Sequence, residues 1–233
     1  MTEIGATLDP VRGSGRLVLV RHGETEGNVA KLLDTRVPGL PLTERGVAQA
    51  KSFAARLAVP PVRLYSSVAL RAQQTAGHIE SVTGVGAEVV DGVYEVQVGE
   101  LEGQNSEAAH REFQRVYRSW HLGELNTRLP GGESGEEVLE RYLPVLEQLR
   151  DTYLLPGSNS RDVLLVSHGA AMRLAARELT GVAPPFTTNN HLDNTETIEL
   201  APTADGGWTC VRWGRYTPPF GYQVEPKADD PMG

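Results

Sequence analysis

The chain has 233 residues, 39% of them hydrophobic, enough for one ordinary α/β domain with its own core and cramped for two. A formal net charge of −8 argues against nucleic-acid binding, because phosphate backbones demand a basic surface. It leaves room for a small anionic ligand, since local arginines set the potential inside a cleft. No stretch approaches the roughly 20 apolar residues of a membrane helix, and the first residues lack a signal peptide's basic start and apolar run. No membrane partner and a cytoplasmic location are therefore expected.

Residues 1–15 hold three glycines, a proline and no periodicity, and read as a flexible N-terminal arm. The domain is expected over 16–216. Leu17 to Val20 is a continuous apolar run of the kind buried parallel strands show, and Val163 to Val166 is a second. Thr43 caps a predicted helix in which Val47, Ala50, Ala54 and Leu57 share a face, with Leu42 and Val47 placed as a hydrophobic staple. Another helix follows Ser66-Ser67 and stops near Gly84. Ser134 and Glu137 form a capping box ahead of Val138, Tyr142, Val145 and Leu149, with Pro144 expected to kink or shorten that helix. A further helix runs from about Ala170 to Thr180, where Gly181 ends it.

Short strands at Val62 to Tyr65, Ala87 to Val90, Glu196 to Leu200 and Trp208 to Trp213 complete the alternation, the last two as a hairpin. The pattern predicts an α/β fold, a three-layer α/β/α sandwich around a mostly parallel sheet with an antiparallel edge strand. Cys210, the single cysteine, excludes an internal disulfide and a Cys-based zinc cluster and reads as a structural residue of the last strand. The tail over 217–233 reads as irregular.

The densest polar signal is Arg21-His22-Gly23-Glu24-Thr25-Glu26-Gly27-Asn28, directly after the first strand. Ligands of open α/β sheets bind beyond the carboxyl ends of strands, so this turn should face a site. Ser167-His168-Gly169 leaves the second buried strand in the same way. If the two strands are neighbours, two imidazoles meet at one cleft. A lone histidine more simply caps a strand end through hydrogen bonds; two such repeats with an arginine beside one of them favour a site. His78, His110, His121 and His191 match no motif and read as ordinary surface or core residues. Glu24 beside His22 has no His-x-x-x-His spacing or carboxylate cluster to support it, so no metal is expected.

These residues resemble the histidine phosphatase superfamily, also called phosphoglycerate mutase-like, over roughly Arg16 to Leu200. Its motifs stand in order: Arg21-His22-Gly23-Glu24-Thr25 with Asn28; Leu42-Thr43-Glu44-Arg45-Gly46; Ser66-Ser67 with Arg71 and Gln74-Thr75-Ala76; Glu95 with Gly99 and Gly103; Gly131-Gly132-Glu133-Ser134; and Ser167-His168-Gly169.

The resemblance implies a phosphatase using a phosphohistidine intermediate, without metal or other cofactor, on a small phosphorylated substrate, with a homodimer left open. His22 would be the nucleophile, Arg21 and Arg71 would hold phosphate oxygens, and His168 would stabilise the transferring group. Glu95 would protonate the departing alkoxide and then deprotonate water. Asn28 and the amide of Gly169 would add phosphate contacts. Glu133 reads as structural, an acid favoured at a helix start.

The chain departs from the family pattern between Asn28 and Leu42, where a Gly-x-x-Gln element is missing, and over 104–130. The latter segment reads as a helical lid or insertion whose stripe of Phe113, Val116, Tyr117 and Trp120 fits core packing. The runner-up reading is a phosphoglycerate mutase returning phosphate to a sugar-acid hydroxyl. It is disfavoured because a mutase's paired insertion arginines are replaced by the scattered Arg111, Arg115 and Arg118. An inactive phosphate-ligand-binding relative is a third reading.

Overall fold

The computed structural model describes residues 13–155 and 160–221, so most of the expected arm and tail lie outside the described residues. In chain order come β1 (Leu17–Arg21), α1 (Glu26–Val29), α2 (Glu44–Ala55), β2 (Arg63–Ser66), α3 (Leu70–Thr83) and β3 (Ala87–Val89). After a 3₁₀ turn (Gly99–Leu101) follow α4 (Glu107–His121), α5 (Gly135–Tyr153), β4 (Val163–Ser167), α6 (Gly169–Thr180), α7 (Phe186–Asn189), β5 (Thr197–Pro202) and β6 (Trp208–Trp213).

The strands form one sheet in the order β3-β2-β4-β1-β5-β6. β3, β2, β4 and β1 are mutually parallel, whereas β5 runs antiparallel to β1 and pairs with β6 as a hairpin. Every residue of β1 and β4 is buried, which accounts for their unbroken apolar runs: both faces are covered. Val18, Val20, Leu164 and Val166 point to the side packed by Phe53 of α2 and by Ala72, Ala76 and Ile79 of α3. Leu17, Leu19, Val163 and Leu165 point to the side packed from α4, α5 and α6. The result is three layers.

Local signals set the helix ends. Thr43 Oγ1 accepts from the Gly46 amide at the start of α2, and Ser134 and Glu137 complete a reciprocal capping box at the start of α5. Gly84 and Gly181 end α3 and α6 in the left-handed conformation, at φ 71° and 65°. Pro144 does not shorten α5, which runs 19 residues through it. The proline is on the exposed face, where the carbonyl it leaves without an amide can turn to water, while Tyr142, Leu146 and Leu149 stay anchored in the core. In α4, Phe113, Val116, Tyr117 and Trp120 are all buried, so the stripe is core packing.

Leu165, fully buried in β4 between two paired strands, tests this arrangement. Leu165→Ala is expected to lower the unfolding free energy by about 2–5 kcal/mol, read as a lower urea midpoint at unchanged slope.

Candidate active site

The parallel register of β1 and β4 aligns Arg21 with Ser167, so the residues that follow, His22 and His168, leave the sheet side by side. Their ring centroids are 5.3 Å apart, and both side chains are buried. The expected meeting of two imidazoles therefore occurs. Arg21, His22, Asn28, Arg71 and Glu95 line one hollow of about 280 Å³, part of it open solvent. Thr25, Gly27, Leu32 and Asp34 complete its wall. His168 and Gly169 are not among its lining residues; His168 adjoins it through the His22 ring, and Gly169 opens α6.

Hydrogen bonding fixes the His22 tautomer. Nδ1 stands 2.7 Å from the Gly23 carbonyl, which can only accept, so Nδ1 carries the proton. Arg71 Nε, which can only donate, reaches His22 Nε2 at 3.2 Å, so Nε2 presents its lone pair. The ring is neutral, with its unprotonated nitrogen turned to a guanidinium.

Arg71 is almost fully buried on the first turn of α3. Burial lowers its proton affinity, opposed by Asp34, Glu95 and Glu102. Its Nη1 lies 3.8 Å from Asp34 Oδ2 and has no hydrogen-bond partner among the described residues. Arg21 Nη1 donates to the Leu192 carbonyl at 2.6 Å. His168 Nε2 meets Ser67 Oγ at 2.8 Å, while its Nδ1 has no hydrogen-bond partner among the described residues. Burial, then the charge of Arg71, holds the His168 pKa well below the ordinary imidazole value.

The Glu95 carboxyl, carried by the segment between β3 and the 3₁₀ turn, reaches the first amides of α6. Its Oε1 accepts from the amides of Val96 (2.8 Å) and Ala171 (2.9 Å), and its Oε2 from Ala170 (3.1 Å). Burial nonetheless raises its pKa above the usual carboxyl range, against the pull of these amides and Arg71.

The flanking motifs hold the turn after β1. Thr75 Oγ1 accepts from the Gly23 amide at 3.0 Å, and Gln49 Oε1 from the Glu24 amide at 2.8 Å. A Cβ on Gly23 would stand 2.5 Å from the Gly46 carbonyl oxygen, and one on Gly46 would stand 2.1 Å from that of Glu24. The two motif glycines thus let α2 dock against the turn. Glu24 bonds Thr43 Oγ1 (2.8 Å) and pairs with Arg45, which explains it structurally.

Sequence reasoning missed Asp34, Asn194 and the role of Ser67. Asn194 donates to the His22 carbonyl (3.1 Å) and to Asn28 Oδ1 (3.3 Å), tying two predicted site residues together. Only a short polar stretch before β5 marks it in the sequence. Glu133, read as structural at a helix start, directly precedes the Ser134 N-cap of α5 and forms a two-point ion pair with Arg141.

The sequence model of the histidine phosphatase superfamily (branch 1) matches residues 17–215. The chain belongs to that superfamily. This histidine phosphatase superfamily member is 33% identical over 167 residues to the adenosylcobalamin/alpha-ribazole phosphatase of Salmonella typhimurium, covering 71% of this chain and 80% of that one. It is 32% identical over 168 residues to "Probable phosphoglycerate mutase GpmB" of Escherichia coli O1:K1, covering 72% and 75%. It is also 28% identical over 217 residues to the PE-PGRS family protein PE_PGRS11 of Mycobacterium tuberculosis; the match takes in 86% of this chain but spans only 37% of that relative. Among solved structures, mycobacterial glucosyl-3-phosphoglycerate phosphatase complexed with VO3 superposes with a TM-score of 0.74 at 26% identity, covering 87% of this chain and all of that one.

The buried histidines have a pH consequence. Below about pH 6.5 the unfolded chain takes up a proton at position 168 that the folded chain refuses, so stability falls on acidification. His121, also buried and depressed, contributes in the same sense. His168→Asn is expected to flatten this acid limb by up to about 1.4 kcal/mol per pH unit, measured by urea denaturation between pH 7 and 5. An unchanged slope would contradict a neutral His168.

Proposed function

We propose that the chain is a metal-independent phosphomonoester hydrolase in which His22 attacks the phosphorus of a small phosphorylated metabolite. The observation that carries this reading is the His22 tautomer: Nδ1 is committed to the Gly23 carbonyl, leaving Nε2 as a nucleophile facing Arg71. Two guanidinium groups lining the hollow favour a dianionic phosphate and repel a metal cation. A phosphate there also supplies the acceptor that buried Arg71 Nη1 lacks, and leaving such a donor unpaired costs about 1–3 kcal/mol.

Substrate phosphate displaces the contact between Arg71 and Nε2, and Nε2 attacks in line. Arg21, Arg71, Asn28 and the Gly169 amide, a helix-start donor with no intrahelical acceptor, hold the non-bridging oxygens. His168 adds a neutral imidazole donor to the transferring group. Glu95, whose proton affinity burial raises, gives its proton to the departing alkoxide. Oε1 already accepts two amides and Oε2 only one, so the proton belongs on Oε2. The resulting carboxylate then takes a proton from water, which attacks the phosphohistidine, releases inorganic phosphate and restores neutral His22.

The likeness to a phosphoglycerate mutase supports the runner-up, in which an alcohol replaces that water. Arg111 and Arg115 speak for hydrolysis: they pair with Glu107 and Glu112 along the exposed side of α4 rather than presenting a carboxylate grip. The domain is read as spanning 16–216, with 104–130 as an insertion whose Asn105 and His110 contact the carbonyls of Ala30 and Lys31 beside the hollow.

Release of inorganic phosphate from p-nitrophenyl phosphate tests the reading. His22→Ala is expected to lower kcat/KM by about 10³-fold or more; retained turnover would refute the nucleophile, and no turnover by the native chain would favour a binding protein. Net conversion of 3-phosphoglycerate to its isomer without phosphate release would select the mutase. Glu95→Gln is expected to lower kcat/KM for alkyl phosphates by about 10²–10⁴-fold while largely sparing kcat/KM for p-nitrophenyl phosphate, whose leaving group departs unprotonated.

A further inference from the structure

Glu95 lies on a segment without regular secondary structure, between β3 and the 3₁₀ turn. A proton donor must be held within a fraction of an ångström of its working position, so this segment needs an external template. Arg141 of α5 commits all five of its N–H donors here. Nη1 donates to the carbonyls of Gly92 (2.9 Å) and Tyr94 (2.8 Å), and Nη2 to that of Glu95 itself (3.1 Å). The remaining two go to Glu133: Nε to Oε1 at 2.8 Å and Nη2 to Oε2 at 2.9 Å.

Glu133 Oε2 also accepts from the Gln97 amide at 2.8 Å, so the pair grips the backbone on both sides of Glu95. The guanidinium lies 3.8 Å from the centre of the Tyr94 ring. Gly92, at φ 87°, presses so close to α5 that a Cβ would stand 2.6 Å from the Arg141 carbonyl oxygen. Side chains of both partners are only 13% and 15% exposed.

We propose that the Arg141–Glu133 pair is the positioning device of the general acid, fixing the Glu95 carboxyl against the scissile oxygen without touching substrate. This rests on the role given to Glu95 above. Lysine cannot replace the arginine, since a single ammonium cannot span three carbonyls and a carboxylate.

The test compares Arg141→Lys and Glu133→Gln with Glu95→Gln and the double variant Arg141→Lys/Glu95→Gln, on glycerol 2-phosphate and p-nitrophenyl phosphate. Each single variant of the pair is expected to lose about tenfold to 10²-fold in kcat/KM on glycerol 2-phosphate, with less than about threefold lost in kcat/KM on p-nitrophenyl phosphate, since that ratio reports the phosphoryl-transfer step and not the hydrolysis common to both. In the double variant the losses should not add, because both act through one proton transfer. Equal losses on the two substrates, additive losses, or failure of both Arg141→Lys and Glu133→Gln to fold would overturn the proposal in favour of a purely structural pair. Absence of the substrate split in Glu95→Gln itself would instead remove the assignment of Glu95 on which the proposal stands.

Discussion

Everything at the site depends on the in-register, parallel pairing of β1 with β4. Residues 146 apart in the chain are aligned so that each strand delivers a histidine at the same height. Strand pairing is quantised: a slip by one residue would turn Leu17 and Leu19 toward the wrong layer, so the apolar contacts on both faces defend the register. The cost of setting two imidazoles 5.3 Å apart is therefore borne by the burial of eight or so aliphatic side chains, and not by the polar groups themselves.

Around that pair the protein concentrates charge that it does not neutralise completely. Arg21, Arg71 and the His22 imidazole line the same hollow, with Asp34 and Glu95 on its wall as partial counterweights. Burying cations is expensive unless they are paired, and the incomplete pairing of Arg71 leaves a local excess of positive potential. A chain of net charge −8 can thus attract a dianion, because the field that matters is that of the hollow.

Much of the fold was legible because its signals are local or periodic. The apolar runs at 17–20 and 163–166, the Ser134 and Glu137 capping box, and the glycines closing α3 and α6 each express short-range physics. Of the site, the positions of His22, Arg71, Glu95 and His168 could be named from motif residues. What could not be read was who holds them. Asn194 reaches back 172 residues to the His22 carbonyl, Arg141 reaches 46 to that of Glu95, and Ser67 reaches 101 to His168. Such contacts exist only after the layers have packed. Pro144 misled in the opposite direction: its local preference was overridden because the helix around it is anchored on its other face.

The placement of Glu95 on the first amides of α6 makes a titrating group part of the scaffold. When its carboxyl gains a proton, those amides face a weaker acceptor, and when the proton departs they are gripped again. Under the role proposed for Glu95, each passage through the reaction cycle loads and unloads the end of a helix that begins one residue after His168. Anything that frays that first turn, far from the substrate or near it, reaches the carboxyl's affinity for hydrogen ions through the same two bonds.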